Sequence, residues 1–289
     1  MKILSPAKIN LFLHITGKRK DGYHNLVSLM CCLGLYDTVS LKLDVKETTV
    51  SCVHPNVPED ETNLAFRAAI LFSNGFDQNG GVGITIEKNI PVAAGLGGGS
   101  SNAAAVLLGL NHHHGYPFSM KQLMSMGLSI GADVPFFIFR KPAIASGIGG
   151  KLEAYHGLVN HKILLVFPGF RISTADVYKS LNLGLTKCKK KLKQVLLNME
   201  DFDPGFHLCN DLETVVESKY PAISEAKKAL LNQGAIGALM SGSGPSVFGL
   251  FSDSEKAKKA SITLSRNDKW HIYLADMMMQ DQGYILQDS

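Results

Sequence analysis

Pro91-Val92-Ala93-Ala94-Gly95-Leu96-Gly97-Gly98-Gly99-Ser100-Ser101-Asn102-Ala103-Ala104 decides how the rest of this chain is read. Ahead of it, Val82, Ile84 and Ile86 alternate with Gly83, Thr85 and Glu87, which is the period of a strand. Behind it, Ala103-Ala104-Ala105-Val106-Leu107-Leu108 runs as a helix toward a stop at Gly115. A strand thus enters a helix through a loop almost bare of side chains. The first helical turn has unpaired N–H donors and the positive end of the macrodipole, and glycines let an anion approach the backbone without meeting a Cβ. The loop is therefore expected to bind phosphate, with the Ser100 or Ser101 hydroxyl able to reach a phosphate or a Mg²⁺. No lysine follows the glycines as a Walker motif requires, and the Rossmann fingerprint fits poorly.

The bulk properties leave room for such a site. At 289 residues the chain exceeds the usual span of one domain, about 100 to 200 residues, and is expected to form two. With 45% hydrophobic and 19% charged residues it has an ordinary globular composition, and no apolar run is long enough to suggest a membrane span. Met1-Lys2-Ile3-Leu4-Ser5-Pro6 has no secretory or transit pattern, so a cytoplasmic protein is expected. Cys31, Cys32, Cys52, Cys188 and Cys209 contain no C-x-x-C pair, which predicts reduced thiols and neither zinc nor a disulfide framework. The net charge of +4 suits a small anionic ligand and does not argue for nucleic acid. Lys187, Lys189, Lys190, Lys191 and Lys193 read as a solvated face. His112-His113-His114 cannot converge on one ion, because successive helical positions point about 100° apart; they read as histidines at a helix C-terminus.

The chain opens on a strand in which Ile9, Leu11, Leu13 and Ile15 face one way and Lys8, Asn10, Phe12 and His14 the other. Strand-like pieces around Val39-Leu41-Leu43 and Thr49 to Val53 follow the polar turn at Gly17 to Gly22. Asn63 then caps a helix through Leu64, Ala68, Leu71 and Phe72. Ser119 and Gln122 form a capping box for a helix ending at Gly131. The pattern loosens from Glu153 to His161, and a buried strand begins at Ile163. This places a domain boundary at 157/158, between an N-terminal domain 1–157 and a C-terminal domain 158–289. Beyond it lie a short helix capped by Ser173, with Thr174 and Tyr178 on one face, and helices through Asp211-Leu212-Glu213 and from Pro221 to Asn232. A strand, glycine turn and strand across Ala238 to Leu250, a helix near Glu255 to Leu264 and a last strand Trp270 to Leu274 complete the pattern.

Phosphoryl transfer needs a phosphate cradle, positive charge near the transferred group and a residue that orients or deprotonates the attacking hydroxyl. Lys8 offers the cation, although alone it is only a lysine on a strand face. Gly131-Ala132-Asp133-Val134-Pro135 places a carboxylate at a helix break, where it could equally cap the next helix. Ser241-Gly242-Ser243-Gly244 is a second glycine turn that could close over the first or merely connect two strands.

Together these segments resemble the superfamily of galactokinase, homoserine kinase, mevalonate kinase and phosphomevalonate kinase, the GHMP kinases. The superfamily's P-x-x-x-G-L-x-S-S-A motif appears here as Pro91 to Ala104 with extra glycines. Ser5-Pro6-Ala7-Lys8-Ile9-Asn10-Leu11, Asp21-Gly22-Tyr23-His24, Gly131 to Pro135 and Ser241 to Gly244 make the resemblance strongest to the branch that acts on 4-diphosphocytidyl-2-C-methyl-D-erythritol. The match runs nearly end to end.

The resemblance implies a two-domain α+β GHMP kinase fold, with an N-terminal domain like ribosomal protein S5 domain 2 and a ferredoxin-like C-terminal domain. It also implies ATP- and Mg²⁺-dependent phosphorylation of that substrate's 2-hydroxyl, a step of the non-mevalonate route to isoprenoid precursors, in a monomer or homodimer with no nucleic-acid or membrane partner. By motif position, Lys8 and Asp133 become the catalytic pair, and Pro91 to Ser101 the ATP loop. Asn10, Thr174, Gly242 and Ser243 line the substrate site. Tyr23 and Tyr178 sandwich a cytosine that His24 reads, and no protein metal ligand is assigned. Another GHMP kinase and a non-catalytic nucleotide sensor are the rival readings. The Asp-Gly-Tyr-His segment argues against the first, intact Lys8 and Asp133 against the second.

Overall fold

The computed structural model describes residues 1–76, 80–181, 188, 202–280 and 285–286. Two long antiparallel strands, β1 (Lys2–Lys18) and β2 (His24–Val45), form its spine. β2 begins well before the piece expected around Val39, because Leu26 to Met30 pair with β5 (Ala143–Gly147) while Thr38 to Lys42 pair with β4 (Gly81–Glu87). β3 (Thr49–Ser51) extends this sheet beside β4, and β6 (Lys151–Ala154) extends it beside β5. Among the described residues, four helices belong to this half: α1 (Leu64–Phe76), α2 (Gly98–His113), α3 (Met120–Ile130) and α4 (Val134–Phe139). Asn63 Oδ1 accepts the Ala65 N–H at 2.9 Å, and Ser119 and Gln122 form the expected capping box. The three histidines stand at the C-terminus of α2, where His114 packs on Phe72 and Phe76.

The second half centres on β7 (Lys162–Phe167), β9 (Gly237–Met240), β10 (Val247–Phe251) and β11 (His271–Met278), antiparallel in the order β11-β7-β10-β9. Helices Pro221–Asn232 and Ser254–Leu264 bury Leu230, Ala260 and Leu264 in its core. β11 is longer than the sequence pattern suggested, and its last residues, Met277 and Met278, pair with Leu33 and Cys32 of β2, which joins the two sheets. Two more late segments return to β1: β8 (Cys209–Asn210) alongside it in parallel, and β12 (Ile285–Leu286), which lies past the last strand read from the sequence. A middle core containing Ile9, Leu11, Leu29, Ile163, Phe248 and Met277 draws on both sides of residue 157.

Two readings of the sequence are corrected. β1 carries a bulge between Asn10 and Phe12, so strict alternation ends there. Phe12 accordingly joins Ile9 and Leu11 in the middle core, and Leu13 turns toward the cleft instead. The expectation of reduced thiols fails for one pair, since Cys188 and Cys209 form a disulfide, while Cys31, Cys32 and Cys52 are buried and take no part in one. The Asp211 carboxylate brings them together by accepting the Cys188 N–H at 3.0 Å beside β8, a contact that sequence spacing does not reveal. The lysine cluster at Lys187 to Lys193 lies outside the described residues.

Candidate active site

A cleft of about 980 Å³ opens between the two halves. Its floor is the glycine loop. Helix α2 starts at Gly98, and its N-cap, Gly97, has no side chain to satisfy the first-turn donors and holds φ at +72°. A Cβ on Gly97 would stand 2.8 Å from Phe137, so glycine is needed there for space as well as conformation. The unsatisfied amides of Gly98, Gly99 and Ser100 therefore begin a helix at the wall of the cleft.

The two serines of the loop part company. Ser100 lines the cleft, whereas Ser101 is buried and accepts a hydrogen bond from Ser5 Oγ at 2.8 Å. Leu96 likewise leaves the cleft and packs in the middle core. The other loop residues named from the sequence, Pro91 to Gly95 and Gly97 to Gly99, all line the cavity. Ala93 adopts φ +55°, so its methyl group does sit on left-handed backbone, a strained position for a residue with a Cβ.

The second glycine turn docks directly on the first. Ser241 Oγ donates to Gly95 O at 3.0 Å, and a Cβ on Gly95 would lie 2.1 Å from Ser241 O. Asn210 of β8 braces the turn, its Nδ2 donating to Met240 O at 2.9 Å and to Gly242 O at 2.7 Å. Gly242 and Ser243 thereby face the cleft from the C-terminal half, and Ser243 Oγ lies 2.8 Å from Thr174 Oγ1 on α5 (Thr174–Lys179). Thr174 and Tyr178 share the cleft face of α5, as their spacing of four requires.

Lys8 sits where these elements meet. Its Nζ donates to Asn10 Oδ1 at 2.6 Å, Asn10 Nδ2 donates to Ser28 Oγ at 2.8 Å, and Ser28 Oγ donates to Phe12 O at 2.7 Å. This buried chain fixes the ammonium, which also lies 3.5 Å from Asp133 Oδ2. Asp133 occupies the N-cap position of α4 yet makes no side-chain cap there; its carboxylate points to Lys8 and remains 38% exposed. The capping alternative for Asp133 thus does not describe its side chain.

Also lining the cleft, the His24 and Tyr178 rings lie 5.2 Å apart at 36°. Burial, and then the charge of Lys18, hold His24 below the ordinary histidine range, so near neutral pH it is an uncharged ring. Burial pushes the Tyr178 phenol up, and Asp133 adds to the shift. Tyr23 stands on the rim with 62% of its surface exposed, and it is His24 rather than Tyr23 that packs on Tyr178. The sequence reading did not identify the opposite wall, made by Val57, Pro58, Asn63, Leu64, Ile86 and Lys88. Asn63 and Leu64 had a visible role only as a helix start; Lys88, three residues before Pro91, was the one available hint.

The GHMP kinases N terminal domain family matches residues 63–141, and the GHMP kinases C terminal family matches residues 185–267. A protein of Syntrophus aciditrophicus named 4-diphosphocytidyl-2-C-methyl-D-erythritol kinase is 46% identical over 277 residues, covering 94% of this chain and 98% of that protein. A crystal structure of 4-(cytidine 5'-diphospho)-2C-methyl-D-erythritol kinase superposes with a TM-score of 0.78 at 31% identity, over 96% of this chain and 99% of that one. Homoserine kinase from Cytophaga hutchinsonii superposes equally well, TM-score 0.78 over 98% of this chain and 96% of that one, but at 19% identity it speaks for the fold alone. The 46% identity along nearly the whole length exceeds what a shared architecture requires, and with both family models matched the chain belongs to the GHMP kinase family.

Proposed function

We propose that this GHMP kinase transfers the γ-phosphoryl group of ATP to the 2-hydroxyl of 4-diphosphocytidyl-2-C-methyl-D-erythritol. The observation that carries this reading is the content of one cleft: an uncapped helix N-terminus beside a Lys–Asp pair, together with a neutral aromatic pair. The first part suits the polyphosphate of ATP, whose oxygens would meet the amides of Gly98, Gly99 and Ser100. The second suits a flat uncharged base, which gains by stacking on Tyr178 and by hydrogen bonds to His24. The names of the relatives favour the same substrate. The apolar wall at Val57, Pro58, Leu64 and Ile86 fits the adenine ring.

In this reading the acceptor hydroxyl lies between Asp133 and the γ-phosphorus. Its oxygen forms the new bond to phosphorus, the bond to the β-bridging oxygen breaks, ADP leaves, and the hydroxyl proton passes to Asp133. Little proton transfer is required early in a loose, metaphosphate-like transition state. Asp133 therefore chiefly orients the hydroxyl and takes the proton late, while Lys8, held by Asn10, offsets charge on the transferred group. Mg²⁺ fits beside Ser100, whose hydroxyl reaches the same cleft as Asp133, and it would neutralise the phosphate oxygens when bound. Asn10, Thr174, Gly242 and Ser243 surround the methylerythritol and diphosphate portion.

The test is a coupled ADP-release assay, with and without Mg²⁺, comparing the cytidyl substrate with galactose, homoserine and mevalonate. Turnover of the cytidyl substrate alone is expected. Turnover of one of the others would reassign the acceptor, and binding of both ligands without ADP release would make the chain a nucleotide sensor.

A further inference from the structure

We propose that Asp37 of β2 is a positioning residue for ATP, because one buried carboxylate fixes both ends of the glycine loop. This rests on reading the loop as the nucleotide cradle. Asp37 is fully buried, and it does not line the cleft. Its Oδ1 accepts the backbone N–H of Asn89 at 2.8 Å and of Ile90 at 2.9 Å, the two residues that lead into Pro91. Its Oδ2 accepts Asn102 Nδ2 at 3.0 Å, from the fifth residue of α2 directly after Ser101, and also pairs with Lys88 Nζ. Four donors fill the four lone-pair directions of the carboxylate, leaving none for a ligand.

The geometry matters because the segment between these anchors, Pro91 to Ser101, contains four glycines, with only Ala94, Leu96 and Ser101 buried. Ordering a free backbone costs about 1–2 kcal/mol per residue. A loop clamped at both ends meets that cost on folding, so less is charged against nucleotide binding. A second tie reinforces the far anchor: Asn102 Nδ2 also donates to Ser5 Oγ at 3.0 Å, and Ser5 in turn holds Ser101. Lys88 neutralises Asp37 beside the helix start, where a Cβ on Gly98 would stand 2.9 Å from Lys88 Nζ and 3.5 Å from Asp37 Oδ2. The clamp thus adds no net charge that would repel a polyphosphate.

A purely structural role predicts lower thermal stability with unchanged nucleotide affinity in the protein that remains folded. A positioning role predicts a loss confined to the nucleotide. Asp37→Asn keeps the shape but turns an NH₂ group toward donors, so one anchor must open. The measurements are the affinity for a fluorescent ATP analogue, KM for ATP, KM for the cytidyl acceptor and Tm, all on the full chain. Affinity for the analogue is expected to fall about tenfold, as for loss of a charge-assisted hydrogen bond, with KM for the acceptor unchanged. Asn102→Ala removes only the far anchor and is expected to lower affinity less, in the same direction; it decides the matter should Asp37→Asn fail to fold. Unaltered analogue affinity in the folded variants, or equal rises in both KM values, would overturn the proposal. If the wild-type chain binds the analogue but does not phosphorylate the cytidyl compound, the substrate reading fails while the affinity comparison still tests Asp37.

Discussion

Two lysine–aspartate pairs flank the same glycine loop, and they are built in opposite ways. Lys88 and Asp37 are sealed: the carboxylate is wholly buried and saturated by Asn89, Ile90, Asn102 and Lys88. Lys8 and Asp133 are open: 3.5 Å apart, with a carboxylate that faces the cleft and gives no cap to its own helix. A saturated carboxylate has no acceptor left for a substrate. An unsaturated one can exchange a hydrogen bond or a proton, which is what the proposed chemistry requires of Asp133.

Asp133→Asn is the sharpest way to break this contrast. It is expected to lower kcat by about 10²–10⁴-fold with nucleotide affinity retained; an unchanged kcat would remove Asp133 from the mechanism. The lysines should divide in the same manner. Lys8→Met is expected to lower kcat by about 10²–10³-fold. Lys88→Met instead strands a buried carboxylate, at a cost of about 3–5 kcal/mol, read as a fall in Tm. A kcat defect in Lys88→Met that matched that of Lys8→Met, at temperatures where both are folded, would erase the distinction.

The contact between the two glycine turns extends the comparison across the halves. Gly95→Ala must place a Cβ against Ser241 O on backbone at φ +77°, and should cost about 1–3 kcal/mol together with weaker ATP binding. Denaturant unfolding and nucleotide titration check both. Within the loop, Ser101→Ala loses a buried hydrogen bond and should cost about 1 kcal/mol of stability, while Ser100→Ala should leave stability alone and change the Mg²⁺ dependence of kcat.

The smallest effect concerns pH. The folded chain holds His24 neutral below the ordinary value of 6.5, where the unfolded chain takes up a proton. The unfolded state then binds more protons, so stability rises with pH through that interval and is lost on acidification. KM for the cytidyl acceptor should rise below that interval, where the ring of the folded chain becomes charged. A KM that stays flat as pH falls through and below that interval would argue against His24 reading the base.

Much of the site was legible because it is local. The glycines announce a loop that only backbone can line, and Thr174 and Tyr178 fall on one helical face by spacing alone. Ser100 and Ser101 could not be told apart, since a helix start turns one hydroxyl outward and the next inward only once Ser5 is in place. Phe12 was assigned to the wrong face because a bulge is a matter of pairing between β1 and β2. The Cys188–Cys209 disulfide depends on Asp211, and Asp37 meets its partners only across 51 to 65 residues of chain.

By itself the sequence determined that a strand enters a helix through the glycine loop, where several helices start, and which loop could take an anion, because these follow from period, φ preference and missing Cβ atoms within a few residues. Tertiary structure alone decided which lysine meets which aspartate, which serine faces the cleft, and that one carboxylate clamps both ends of the loop. Those contacts join residues tens of positions apart, and they are set by strand register and by the packing of one half against the other.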